Sequence, residues 1–66
     1  MENIDNITNM ISSSITRLSE VNYILNNIAL QYAKDGDTEM YDKFNKISET
    51  IGMTICTLSK QKERLW

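Results

Sequence analysis

Two series of apolar residues, mirrored about one turn, constrain this chain more than any other feature. The first series is Ile4, Ile7, Ile11, Ser14, Leu18, Val21, Leu25, Ile28 and Tyr32. Its members step by alternating threes and fours, the spacing that keeps one stripe of a helix facing a neighbouring helix. Only Ser14 interrupts it. The second series is Met40, Phe44, Ile47, Ile51, Thr54, Leu58, Gln61 and Leu65, with Thr54 and Gln61 as its polar members. Between them lies Lys34-Asp35-Gly36-Asp37-Thr38, the strongest break in a chain that has no proline. Gly36 suits the left-handed residue just past a helix end. Asp37 suits the N-cap of the next helix, and Glu39 favours the dipole of its first turn.

The expected fold is all-α: an antiparallel, coiled-coil-like two-helix hairpin forming a single domain over residues 1–66, with its turn at about residues 34–38. Folding at Gly36 pairs residues equidistant from it: Tyr32 with Met40, Ile28 with Phe44, Leu25 with Ile47 and Val21 with Ile51. The series continues with Leu18 and Thr54, Ser14 and Leu58, Ile11 and Gln61, and Ile7 and Leu65. On this pairing no polar seam residue meets another. Glu2 and Asp5 at the start then lie near Lys60, Lys62 and Arg64 at the end. Two segments are weak. Residues 9–16 are rich in serine, threonine and isoleucine, mediocre helix formers that leave the start of the first helix open as far as Ser12–Ser14. Gly52, placed away from the expected seam, costs a helix about 1 kcal/mol relative to alanine. Either another chain approaches closely there or the weakness is simply tolerated.

A chain of 66 residues cannot build much of a core, which at this size rarely supplies more than about 3–5 kcal/mol. Cys56 is the sole cysteine and there is no histidine, so neither an internal disulfide nor a typical zinc site is available. What completes the hairpin must be a partner, either a second copy or another protein. The net charge of −2 and a pI near 4.9 lack the basic excess with which phosphate backbones are bound, so no nucleic acid is expected. No stretch approaches the roughly 18 apolar residues of a membrane span, and the acidic start does not resemble a signal peptide. The expected location is cytoplasmic, where a free thiol is ordinary.

Apolar residues continue beyond the two series. Met10, Ile15 and Ile24 flank the first, and Tyr41 and Ile55 flank the second. Tyr23 and Leu30 lie two turns apart on the far side of the first helix, and Met53, Cys56 and Trp66 point outward from the second. Residues beside a seam widen a buried face in a four-helix bundle. An outward strip at helical spacing is instead a docking surface. The candidate partner-binding set is therefore Met10, Ile15, Tyr23, Ile24, Leu30, Tyr41, Met53 and Ile55. Catalytic equipment is missing from the sequence. Without histidine the commonest general base is absent. The acids at the turn, Asp35, Asp37, Glu39 and Asp42, lack calcium-loop spacing. No enzyme activity, cofactor, metal or small-molecule substrate is expected.

The segment Gly36-Asp37-Thr38-Glu39-Met40-Tyr41-Asp42-Lys43-Phe44-Asn45-Lys46-Ile47-Ser48 resembles the small YscE/PscE-type co-chaperones of type III secretion needle subunits. Those chains are helical hairpins of similar length. They carry a Gly-Asp turn followed by a tyrosine and then a large aromatic residue, matched here by Gly36, Asp37, Tyr41 and Phe44. Lys46, Ser48 and the apolar run from Ile51 to Leu58 extend the likeness, which covers about residues 34–58. The resemblance implies a virulence-associated heterodimer with a larger tetratricopeptide-like chaperone, which cradles the needle subunit and keeps it soluble and monomeric. Two other readings suit the same fold. One is a homodimeric four-helix bundle that regulates RNA, disfavoured by the acids that interrupt Lys43, Lys46, Lys60, Lys62 and Arg64. The other is a small phage or mobile-element inhibitor of a host protein.

Overall fold

The computed structural model describes the backbone of residues 2–64 and the side chains of residues 4–64. Leu65, Trp66 and the Glu2 side chain, to which the sequence assigns a seam position, an outward position and a terminal charge, lie outside the described residues. Two helices, α1 (Glu2–Lys34) and α2 (Thr38–Arg64), fold back on each other as an antiparallel hairpin. The Cα trace measures 52 × 15 × 10 Å, a rod two helices wide and one helix thick.

Hydrogen bonds fix the turn as the sequence suggests. Gly36 takes a φ of 81°, the left-handed conformation that glycine adopts without a Cβ penalty. The Asp37 N–H donates to the Tyr32 carbonyl at 2.9 Å and the Gly36 N–H to the Ala33 carbonyl at 3.1 Å. Together these close α1 as a Schellman motif and satisfy carbonyls that a helix end leaves open. Asp37 then starts α2: its Oδ1 accepts from the Met40 N–H at 3.1 Å, the third residue past the cap. Just inside the turn the Tyr32 and Phe44 rings stack, with centroids 5.6 Å apart and planes inclined by 26°. The sequence pairing had set Tyr32 against Met40.

Helix α1 does not start late. It runs from Glu2 through the segment of weak helix formers. Hydroxyls there bond back one turn: Ser14 to the Met10 carbonyl at 2.9 Å, Thr16 to Ser12 at 3.1 Å and Ser19 to Ile15 at 2.8 Å. Such bonds keep a serine or threonine satisfied inside a helix. The inward burial of Thr8, Ile11 and Ile15 adds the tertiary support that propensity lacks.

The contact line between the helices corrects the expected seam. The innermost residues of α1 are Thr8, Ile11, Ile15, Leu18, Asn22, Leu25, Ala29 and Tyr32. In α2 they are Tyr41, Phe44, Ser48, Ile51, Ile55, Leu58 and Lys62. Both sets are heptads, sharing every second member with the apolar series. The other members have moved by one residue. Ile7, Val21 and Ile47 are exposed, while Thr8, Asn22 and Ser48 turn inward. Ser14, Thr54 and Gln61 are likewise exposed, and Ile28 and Met40 are half-buried on the flank.

The seam is consequently part polar, against expectation. Ser48 is 8% exposed, and its Oγ lies 2.5 Å from Asn22 Oδ1 and 2.7 Å from Asn26 Oδ1. One hydroxyl proton serves one carbonyl, so the second amide presents its NH2 group to the serine oxygen instead. A satisfied polar cluster of this kind fixes the register of two helices, which apolar side chains alone leave free to slide. Among the described residues Ala29, at 2% exposed, is the single buried apolar side chain.

Three stability measurements check this description by thermal or denaturant unfolding followed by circular dichroism. Gly36→Ala should destabilise by about 1–2 kcal/mol, because alanine resists the left-handed conformation. Gly52→Ala should stabilise by about 1 kcal/mol, since a Cβ built at Gly52 meets nothing within 4 Å. Ser48→Ala should cost about 0.5–1.5 kcal/mol by removing the hydroxyl that joins Asn22 and Asn26.

Candidate docking face

An α-helix turns about 100° per residue, so each heptad position has a fixed direction relative to the contact line. The contact-line residues point within about 25° of the neighbouring helix. Ile7, Ser14, Val21 and Ile28 point about 75° to one side of it. In α2 the equivalent positions are Met40, Ile47, Thr54 and Gln61. Because the helices are antiparallel, these two flanks lie on the same side of the pair. The opposite flanks, Ser12, Ser19, Asn26 and Ala33 with Asn45, Gly52 and Ser59, lie on the other.

The hairpin thus has two unlike faces. One carries Ile7, Val21, Ile28, Met40 and Ile47, with Met10 and Ile24 at its edge along α1. The other carries small or polar residues along its flanks, with Tyr23 and Leu30 exposed farther out on α1. Val21 is 45% exposed and Ile47 is 47% exposed, so the isolated chain leaves the middle of the apolar face half open. The exposed total points the same way. The chain presents 5258 Å² of accessible surface, whereas a compact monomer of 7.7 kDa presents about 4300 Å². The excess of roughly 900 Å² is close to the ~800 Å² that each partner buries in a standard protein–protein interface.

The eight candidate residues fall in four places. Ile15, Tyr41 and Ile55 are half-buried on the contact line and hold the hairpin together. Met10 and Ile24 are exposed on the rim of the apolar face. Tyr23, 69% exposed, and Leu30 belong to the opposite face. Met53 is exposed on the outer edge of α2. Sequence reasoning passed over Ile7, Val21 and Ile47 because it assigned them to the seam. The available signal was the polar pair one position later, Asn22 and Ser48, which bond each other across the seam; Thr8, the third such residue, is buried with its hydroxyl unpartnered.

Cys56 is a free, exposed thiol. Among the described residues no three of the acids and Cys56 come together as metal ligands. The depression lined by Ile15, Thr16, Ser19, Tyr23 and Ile24 is open to solvent on most sides. No helix is long and apolar enough among the described residues to cross a membrane. The arrangement can bury apolar surface against another protein. Comparison with protein-family models, with curated proteins and with solved structures returns no match.

Proposed function

We propose that this chain is a non-enzymatic protein-binding hairpin that docks on a larger helical protein through the apolar face centred on Val21 and Ile47. The observation that carries the reading is the half-exposure of these residues on one face of a hairpin whose own contact line is partly polar. Covering them removes apolar surface at about 25 cal/mol per Å². A folded chain with so little core gains disproportionately from that.

The more specific form of the proposal is a co-chaperone role. The resemblance over residues 34–58 supports pairing with a tetratricopeptide-like chaperone that keeps a type III secretion needle subunit monomeric in the cytoplasm. Such a role needs no catalysis and no cofactor. It needs a stable hairpin and one face for the larger chain.

Co-expression with a tetratricopeptide-like chaperone encoded beside this chain is the test. The expected result is co-purification and a higher melting temperature for both chains. If they purify apart and neither gains stability, the co-chaperone role fails. Within a complex, Val21→Asp and Ile47→Asp should each weaken binding at least about tenfold, or about 1.4 kcal/mol, while the isolated variants keep their helicity. Leu30→Asp, on the opposite face, should cost less. The reverse order of effects would move the docking surface to the Tyr23 and Leu30 side.

A further inference from the structure

The charges of the hairpin are sorted by face. On the apolar side the outermost positions are Met10, Arg17, Ile24 and Gln31 in α1, and Lys43, Thr50, Thr57 and Arg64 in α2. The charged residues that share this face are Arg17, Lys43 and Arg64, all basic. On the opposite face the equivalent positions, with the flank beside them, hold Asp5, Asp42, Glu49 and Glu63, all acidic. In a chain with a net charge of −2 the charges set along the apolar face are therefore basic, with Glu20 and Glu39 on the outer edge of the helices beyond them. Lys43 reaches Glu39 at 3.5 Å along its own helix, with both side chains largely exposed. Such a pair contributes little and remains free to exchange partners.

We infer that the occupant of the apolar face is an amphipathic helix, or a pair of them, whose apolar stripe is bordered by carboxylates. This rests on the docking reading above and adds the chemistry of the partner. The same charges disfavour a second copy as the occupant. Stacking two apolar faces brings Arg17, Lys43 and Arg64 of each copy into one interface, where the nearest carboxylate is Glu39, already beside Lys43 of its own chain. An acidic-edged partner instead meets apolar surface with apolar surface and each cation with an anion. Rim charges of this kind set which partner is chosen and how fast it arrives more than they set the final affinity.

The test uses the full chain and two synthetic helical peptides of about 20 residues, long enough to form isolated helix. Both carry the same leucine stripe, edged with glutamate in one and lysine in the other. Fluorescence anisotropy should show the glutamate-edged peptide binding about tenfold tighter at low ionic strength, with the preference shrinking as salt screens the rim. The variant carrying Arg17→Glu, Lys43→Glu and Arg64→Glu together should reverse the preference, and Ile47→Asp should weaken both peptides. Equal binding, a preference for the lysine-edged peptide, or binding of neither overturns the inference. So does a stable dimer of the chain alone at low micromolar concentration and low salt that Ile47→Asp dissolves. A natural partner still held through Ile47 in any of these cases leaves the docking face standing and removes only the acidic rim.

Discussion

In both helices the apolar stripe and the direction of the neighbouring helix differ by about 50°, half the turn between successive residues. The stripe is centred between the contact line and one flank. The neighbour sits over the contact line itself. Each helix therefore spends half of its stripe on the hairpin and turns the other half toward the same side of the pair. Nearly everything else follows from this offset. It places Asn22 and Ser48 where leucines or isoleucines are otherwise expected. Among the described residues it leaves Ala29 as the one buried apolar side chain, and it lays Ile7, Val21, Ile28, Met40 and Ile47 along one face.

The polar cluster and the turn hold that geometry against a simple alternative. If the helices rotated to point their stripes at each other, Val21 and Ile47 would be buried and Ser48 would face water. Burying apolar surface favours that rotation. The hydrogen bonds between Ser48 and two asparagines oppose it. The Schellman closure at Gly36 and the Asp37 cap fix how the chain leaves one helix and enters the next. A hairpin held in this way has a face ready for a partner without rearrangement, which lowers the ordering cost of binding.

The sequence disclosed the helices, the turn and its two capping residues because each depends on local chemistry. A glycine followed by aspartate between two heptads leaves few other folds. The facing residues were less legible. Heptad spacing identifies a stripe but not which edge of it meets the neighbour, and apolar content favoured Val21 and Ile47 over Asn22 and Ser48. Seam polarity depends on what lies across the interface, a relation that a single strand of sequence does not display. The same ambiguity dispersed the candidate docking residues. Ile15, Tyr41 and Ile55 proved part of the hairpin, Met10 and Ile24 stayed on the open face, and Tyr23, Leu30 and Met53 lie elsewhere. The continuous helix over residues 9–16 was also hidden, because it relies on tertiary burial of Thr8, Ile11 and Ile15 that propensity does not count.

Thiol labelling at two adjacent positions tests the offset most directly. In a chain whose native cysteine is removed by Cys56→Ser, Ile47→Cys and Ser48→Cys would be compared for their rate of reaction with a maleimide, at low micromolar concentration and without a partner. Labelling at position 47 should be fast, near the rate of the unfolded chain, and position 48 should be strongly protected. Protection at 47 with fast labelling at 48 would show that the apolar stripes face each other, and the open apolar face would not exist.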